Sequence, residues 1–266
     1  MHRLALASVL CAACSAQSPP GPQAGPEWVA EQYFFAPAWP RKAEYYTGEM
    51  AAHPGEQTIG EAGVRALRSS LRPVETAPGT AVYAVQVAID GRVQDIYAYV
   101  VKEDAGWRLA AIRALWLPPM YYMLLDTLAN APTLPDSDAA ELENMRLTVS
   151  TDSALKAFFH AHRPVLDSIA ETFGRDTTRL LRAARPGPAA STSPRSAAIQ
   201  LGELHFGGAR RDPGAPGCVL LAIGGMLDNE VGFMHCPDGA GPPAISIASF
   251  ILVEVVAPGW YLYKTT

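Results

Sequence analysis

The pattern of apolar and polar positions is clearest between residues 80 and 116, where it predicts three consecutive strands. Residues 81–89 (AVYAVQVAI) are rich in β-branched and aromatic side chains, and Asp90-Gly91 is a dipeptide that favours a two-residue hairpin turn. The chain returns as a second strand over 92–101 and as a third over 107–116 (WRLAAIRALW). The pattern therefore predicts an antiparallel meander.

Both faces of this predicted meander are apolar. Side chains of successive strand residues point to opposite faces of a sheet. In the second strand, one face carries Ile96, Ala98 and Val100, and the other carries Tyr97, Tyr99 and Val101. We therefore expect each face to pack against another element.

The segment before the meander is predicted to be mainly helical. A helix is expected from Pro26 to about Phe35, because proline is favoured at the first helical position. Pro37 and Pro40 then break the helical pattern, and a second helical stretch is expected over 41–52. Residues 60–72 are compatible with either a helix or a strand.

A series of helices is predicted after residue 117. The first covers 120–129 (MYYMLLDTLA), and a second runs to about Leu147 after a linker, with Ser137 or Asp138 as its N-cap.

A longer helix is predicted to start at Thr151 or Asp152. Its apolar positions recur at helical spacing, at Leu155, Phe158, Phe159 and His162. Pro164 leaves two alternatives open, because the helix either ends near His162 or kinks and continues to a stop at Gly174.

The remainder of the chain is predicted to be a short basic helix to Arg185, a loop over 186–196, and then strands. The expected strands cover 197–206, 218–223, 230–236, 245–256 and 260–264. Helices followed by an antiparallel sheet indicate an α+β fold. We divide the chain into a domain over 27–117 and a second over 118–266, with helices over 120–185 and a sheet over 197–266.

The N-terminus has the layout of an export signal. A basic start at His2-Arg3 precedes the apolar run 4–13 (LALASVLCAA), which is far shorter than the ~20 residues of a membrane-spanning helix. The Pro- and Gly-rich segment 15–26 (SAQSPPGPQAGP) cannot bury enough surface to fold, and is expected to be a disordered tether over 14–26. Two alternatives are cleavage after Ala16 and an unprocessed N-terminal helix.

The run Leu10-Cys11-Ala12-Ala13-Cys14 resembles a bacterial lipobox, in which small residues precede a cysteine that receives acyl chains. The chain departs from that pattern because Cys11 replaces the usual leucine, and Leu10 lies one position further out. The resemblance implies a signal peptide over 1–13 and a lipid anchor on Cys14. Ser15 after that cysteine resembles outer-membrane sorting, which implies a body that faces the periplasm.

Cys218 and Cys236 are the two remaining cysteines of the predicted folded part. An even pair in an exported protein favours a disulfide. The intervening segment is expected to form two strands around Asp228-Asn229 or a turn one residue earlier, which brings the cysteines to nearly opposite positions. A bulge at Gly224-Gly225 would change that register, and two separate buried thiols are the alternative.

Charge limits the partners that the sequence favours. The net charge is −5, and the basic pairs Arg41-Lys42 and Arg210-Arg211 do not form a stripe. Nucleic-acid binding depends on clustered lysine and arginine, so no nucleic-acid partner is predicted.

The run over 94–116 (QDIYAYVVKEDAGWRLAAIRALW), with helices before the meander, resembles the end of an NTF2-like (cystatin-like cone) domain. The resemblance covers about forty residues of the region 27–116. It implies a cone whose mouth can hold a small ligand. An enzyme of this kind would need an Asp and a His facing the cavity, and Asp95 has no histidine within the meander. Asp95 and Arg113 are instead expected at the rim of the sheet.

The other candidate residues do not form a catalytic or metal-binding pattern. His160 and His162 are two residues apart on a predicted helix and point in different directions, while His205 and His235 meet only if their strands are neighbours. The pairs Tyr45-Tyr46 and Tyr121-Tyr122 are interpreted as packed aromatics rather than a binding groove. The sequence contains no Gly-x-Ser-x-Gly or phosphate-binding loop. We assign no catalytic residue, metal ligand or cofactor.

These observations favour a lipid-anchored envelope protein that acts as a non-enzymatic binding or assembly module. Its expected partners are the membrane, through the anchor, and an envelope protein or a small ligand. A hydrolase or isomerase that uses an NTF2-like cavity is one alternative. An immunity or inhibitor protein of the periplasm is another.

Overall fold

The computed structural model describes residues 25–175, 181–182, 194–237 and 239–266. The fold is α+β, with helices, antiparallel sheets and one sheet curled into a half-barrel. None of the helices in these ranges has the length and hydropathy needed to cross a membrane.

The first part of the chain forms a five-stranded sheet, in which β1 and β2 both pair with β3, followed by β4 and β5. Short 3₁₀ turns lie at Lys42–Tyr45 and Arg68–Ser70. The elements are α1 (Pro26–Phe35), α2 (Gly48–Ala51), β1 (Arg65–Ala66), β2 (Arg72–Ala77), β3 (Thr80–Ile89), β4 (Arg92–Glu103) and β5 (Gly106–Ala114). The predicted helix over 26–35 and the meander are confirmed, while the stretch 41–52 is broken into a 3₁₀ turn and one helical turn.

The β3–β4 hairpin turns where the sequence predicted. Ile89 pairs with Arg92, so Asp90 and Gly91 are the two turn residues. Both have positive φ, 50° and 76°, which is the conformation that a two-residue type I′ turn requires.

Each face of this sheet packs against another layer, as predicted. Ile96, Ala98 and Val100 face α1 and lie in one apolar cluster with Val29 and Phe34. Tyr97 and Tyr99 face the other way and lie in a second cluster with residues of the C-terminal part. The residues on the two sides of position 117 therefore share a core. The domain boundary itself stays a prediction.

The second part forms a six-stranded sheet in the order β10-β11-β9-β8-β7-β6. Its strands are β6 (Leu181–Arg182), β7 (Gly208–Arg210), β8 (Val219–Met226), β9 (Asn229–His235), β10 (Phe250–Ala257) and β11 (Trp260–Thr265). The helices are α3 (Pro119–Ala129), α4 (Asp136–Thr148), α5 (Asp152–Arg175) and α6 (Pro194–Glu203). The strand β11 lies between β10 and β9, inside the sheet.

Helix α5 continues through Pro164 and so resolves the alternative that the sequence left open. Its buried stripe includes Leu155, Phe159 and Leu166, and the Phe159 ring lies 5.3 Å from the ring of Trp260 on β11. Pro164 is exposed, and water can bind the carbonyl group that lacks an internal donor there.

The predicted strand over 197–206 is wrong, because residues 194–203 form α6. Ala197, Leu201 and Leu204 are buried, at a spacing that places them on one face of a helix. Because α6 packs against α5, burial of one helical face favoured the helical spacing of apolar residues over the alternating spacing of a strand. The predicted loop is also wrong at 194–196, and residues 183–193 lie outside the described ranges.

Three further boundaries differ from the prediction. Helix α4 begins at Asp136 after Pro135, so neither Ser137 nor Asp138 is its N-cap. Residues 181–182 form a strand rather than part of a helix. Strand β10 begins at Phe250, and 245–249 lie before it.

Cys218 and Cys236 are joined by a disulfide bond, with an S–S distance of 2.03 Å. The β8–β9 turn consists of Leu227 and Asp228, one residue before Asp228-Asn229. A one-residue register shift follows Ala222, at the predicted bulge. Without this shift, the turn would place Cys218 opposite residue 237 rather than opposite Cys236.

Candidate functional site

A buried carboxylate, Asp152, lies at the junction between the two parts of the fold. It is the first residue of α5, and Thr151 caps that helix by accepting a hydrogen bond from the N–H of Ala154 (3.4 Å). The side chain of Asp152 is 1% exposed, and its carboxylate contacts Lys264 Nζ at 2.8 Å and Arg72 Nη2 at 2.7 Å. These two cations come from β11 and β2, so Asp152 joins three elements.

Two groups from β4 complete the surroundings of Asp152. The Tyr97 hydroxyl donates to the Asp152 carboxylate at 2.9 Å. The carboxylate of Asp95, 5% exposed, accepts the backbone N–H of Asp152 at 2.7 Å. Asp95 thereby binds the first N–H of α5, a donor that has no partner within a helix. The prediction that Asp95 lies at the rim of the sheet is wrong, because β4 is a central strand and its face here is covered by α5.

A third carboxylate extends the cluster toward the surface. Glu254 on β10 contacts Arg72 Nη1 at 2.6 Å and Lys156 Nζ at 2.5 Å. Arg72 is therefore shared by Glu254 and Asp152. We call Arg72, Asp95, Tyr97, Asp152, Lys156, Glu254 and Lys264 the ionic cluster.

The two aspartates of the ionic cluster have pKa values shifted in opposite directions. Burial alone would raise the pKa of Asp152, but the charges and hydrogen bonds of Lys264 and Arg72 outweigh burial and lower it. Burial raises the pKa of Asp95, and the neighbouring charge of Asp152 raises it further. Burial also raises the pKa of Tyr97 well above its usual value, so its hydroxyl stays a donor. Asp95 is thus the carboxyl that takes up a proton more readily.

A small cavity of about 20 Å³ adjoins Asp95 and Lys264. Its volume suits one water molecule. Tyr122, Gln94 and Val149 line this cavity and also line a larger groove of about 410 Å³. The groove therefore lies next to the small cavity that borders the ionic cluster.

The groove has apolar walls and charged residues near its end at the β3–β4 turn. Its apolar lining consists of Ile89, Val93, Leu125 and Val149. Arg92 lines it as well, lies 5.0 Å from the centre of the Tyr122 ring, and pairs with Asp126 at 2.5 Å. The hydrogen bond from Arg92 to Asp126 raises the pKa of the guanidinium. The lining suits a molecule that has both an apolar and a polar part.

The hydroxyl groups beside the small cavity are committed to the backbone. Thr148 donates to the carbonyl of Asn144 at 2.9 Å, and Ser150 donates to the carbonyl of Arg146 at 2.8 Å. Neither is poised against a base, as an activated nucleophile would be. The arrangement supports ligand binding and protonation at Asp95, and offers no geometry for acyl or phosphoryl transfer.

The structure places the candidate residues of the sequence analysis in different surroundings. Cys14 lies outside the described residues. Tyr46 is buried in the α1 cluster, and Tyr45 packs on Trp28 with ring centres 5.2 Å apart. Tyr121 and Tyr122 both pack against the apolar core, as interpreted, and Tyr122 lines the groove as well.

The histidines do not converge. His205 lies in the turn after α6 rather than on a strand, so no strand pairing brings it beside His235. His162 packs on the Phe158 ring at 4.3 Å, whereas His160 is exposed. Within the described ranges, no group of three histidine, cysteine, aspartate or glutamate side chains forms a metal site.

Sequence reasoning missed most of the ionic cluster. Asp95 and Tyr97 share a face of an apolar strand, and a charge at an inward position is the signal that could have identified Asp95. Its partner Asp152 is 57 residues away in sequence, and only the tertiary fold brings them together.

We expect the Asp95→Asn variant to gain stability relative to the parent protein as the pH rises. The difference in free energy of unfolding, variant minus parent, should increase from about pH 4 to pH 7. The folded state holds the Asp95 proton more tightly than the unfolded state, because its pKa is raised by burial and by Asp152. Deprotonation over this window therefore weakens the parent and not the variant. Urea unfolding of both proteins at both pH values measures the effect, and a difference that does not change with pH would contradict it.

No family model, curated protein or solved structure matches this chain. The groove and the N-terminal sequence are therefore the features that bear on function.

Proposed function

We propose that this protein is a lipid-anchored envelope protein that binds a small amphipathic ligand in the groove between the β3–β4 turn and α3. The groove is the observation that carries the proposal. Its volume of about 410 Å³ lies within the size range of small-molecule sites. Its apolar walls are bordered by Gln94, which also lines the small cavity beside Asp95 and Lys264.

The chemistry of the lining defines the ligand class. Ile89, Val93, Leu125 and Val149 favour an apolar portion, such as an alkyl chain or a ring. Gln94, which borders both spaces, offers a donor and an acceptor for a polar group. Arg92 is paired with Asp126, and Asp90 lines the groove as well, so a strong anion is not favoured as the polar group.

The membrane attachment is supported by the sequence. The short apolar run 4–13, the lipobox-like residues up to Cys14 and the Pro- and Gly-rich segment after it agree with acylation of Cys14 and a tethered body. The resemblance of 94–116 to an NTF2-like domain agrees with a ligand-binding role. A hydrolase with a serine or threonine nucleophile is not favoured, because the hydroxyls of Thr148 and Ser150 are bound to the backbone.

The anchor is tested by detergent-phase partitioning of the full chain. We expect the parent protein to enter the detergent phase and the Cys14→Ala variant to stay in the aqueous phase. Cys11→Ala is the matched control, since Cys11 leaves with the signal peptide and its loss should not change the partitioning. Unchanged partitioning of Cys14→Ala would refute the anchor.

The groove is tested with a photo-crosslinking amino acid in cells, followed by intact-mass measurement of the purified protein. Val93 lines the groove and is 39% exposed, while Val255 is an exposed valine on β10 and is the control position. We expect an adduct of a few hundred daltons, typical of a drug-sized or lipid-like ligand, at position 93 and not at 255. A protein-sized adduct at 93 would indicate an assembly role instead, and equal labelling at both positions would exclude a ligand in the groove.

A further inference from the structure

Four large apolar side chains are exposed on the outer face of α3 and at Trp116, three residues before the helix. The exposed fractions are 57% for Trp116, 66% for Met120, 69% for Met123 and 48% for Leu124. The three helical residues are spaced at i, i+3 and i+4, which places them on one face. On α3 only Leu125 is buried. We call Trp116, Met120, Met123 and Leu124 the α3 face.

An exposed apolar group of this kind marks an interaction surface in a soluble body. The α3 face also carries no charge. Asp126 is the one acidic or basic residue of α3, and it pairs with Arg92 beside the groove. The hydroxyl of Thr127 donates to the carbonyl of Met123 within the same helix.

These features favour a lipid surface over a protein partner. A specific protein interface surrounds its apolar centre with polar groups that hydrogen-bond to the partner. The α3 face has thioether, alkyl and indole side chains, and its polar neighbours Asp126 and Thr127 are bound within the protein. Tryptophan is enriched at the interface between lipid and water, where its ring is apolar and its N–H reaches polar groups.

The length of the chain before α1 brings the bilayer within reach. Between Cys14 and Gly25 the chain spans at most about 40 Å when fully extended. A folded body of about 240 residues has a radius of gyration of about 18 Å. A body tethered at Cys14 therefore stays about one molecular diameter from the membrane, at a high effective concentration.

We infer that the α3 face docks on the surface of the bilayer, inserting Trp116, Met120, Met123 and Leu124 among the lipid headgroups and upper acyl chains. The inference rests on the proposed lipid anchor for the proximity of the bilayer. Because the α3 face is uncharged, docking is driven by apolar burial and is insensitive to salt. Tyr122 and Leu125 of the same helix line the groove, so docking also places the groove beside the membrane.

The test uses the full chain with phosphatidylcholine vesicles whose acyl chains carry bromine, which quenches tryptophan fluorescence only at short range. We expect quenching at least about twofold greater in the parent than in Trp116→Phe, as follows from insertion of an interfacial tryptophan. The double variant Met120→Glu, Met123→Glu should lose this quenching, whereas Val255→Glu, at an exposed valine elsewhere, should retain it. Raising the salt from about 0.1 to 1 M should change it little.

Flotation with the vesicles separates docking from the anchor. Flotation that requires Cys14, without quenching of Trp116, would overturn docking and leave the anchor standing. Quenching in a Cys14→Ala chain that floats as well as the parent would overturn the anchor and support docking. A parent protein that neither floats nor is quenched would overturn both the anchor and docking. If the parent is not quenched but forms a dimer that the Met120→Glu, Met123→Glu variant does not form, the α3 face binds a second copy of the chain.

Discussion

Replacing Asp152 by alanine is expected to lower the free energy of unfolding by about 3–5 kcal/mol, the usual cost of breaking a buried ion pair from one side. The loss is large because the substitution leaves Lys264 buried without its 2.8 Å partner and removes one of the two carboxylates of Arg72. The hydroxyl of Tyr97 also loses its acceptor. Urea unfolding at neutral pH measures the change.

Asp126→Ala is the matched control for this experiment. Asp126 also pairs with an arginine, Arg92, but its side chain is 58% exposed, and exposed pairs contribute about 0–1 kcal/mol. Equal losses in the two variants would contradict the view that Asp152 connects the two parts of the fold. The pKa of Asp152 is lowered in the folded protein, so its contribution is present above the unfolded pKa of about 4 and is lost as the pH falls further.

Replacing Cys218 and Cys236 together by alanine lowers the free energy of unfolding by about 3 kcal/mol. The disulfide spans 18 positions and restricts the unfolded chain, while the folded chain keeps β8 and β9 paired in the same register. Urea unfolding with and without dithiothreitol measures the effect. The reductant should weaken the parent protein to about the stability of the variant and should leave the variant unchanged.

A parent protein that unfolds at the same urea concentration before and after complete reduction would contradict this prediction. Titration of free thiols confirms that reduction is complete. The cluster around Cys218 and Cys236 contains Leu220, Met234 and Tyr263, so the reduced protein is still expected to fold. The experiment therefore separates the contribution of the bond from that of the surrounding core.

The two aspartates of the ionic cluster differ in what they contribute. Asp152 is held by two cations and stabilises the junction, whereas Asp95 is a buried acceptor whose raised pKa weakens the fold at neutral pH. Such a cost is typical of positions retained for a function. The position of Asp95 beside the groove agrees with the proposed binding role.

Several local features were determined by the sequence because they depend on neighbouring residues. Asp90-Gly91 specifies a two-residue turn, since both positions adopt positive φ, and the alternation of Ile96 and Tyr97 specifies two buried faces. The signal-like run before Cys14 belongs to the same kind of evidence, and its processing stays a prediction.

Other features were decided only by the tertiary structure. The Ala-rich segment 197–203 is compatible with two periods, and packing on α5 selected the helix. Pro164 is compatible with a stop or a continuation, and burial of Leu155 and Leu166 on both sides of it favoured one long helix. In each case the deciding free energy comes from apolar surface buried against a segment far away in sequence.

The candidate site is the clearest example of this division. The sequence by itself determined that Asp95 lies on a strand and that a helix starts at Thr151 or Asp152. It did not determine that Lys264, near the C-terminal end of the sequence, would form an ion pair with Asp152. A turn or a cap depends on residues a few positions apart, whereas a buried ionic cluster depends on which distant elements pack together, and that choice belongs to the fold as a whole.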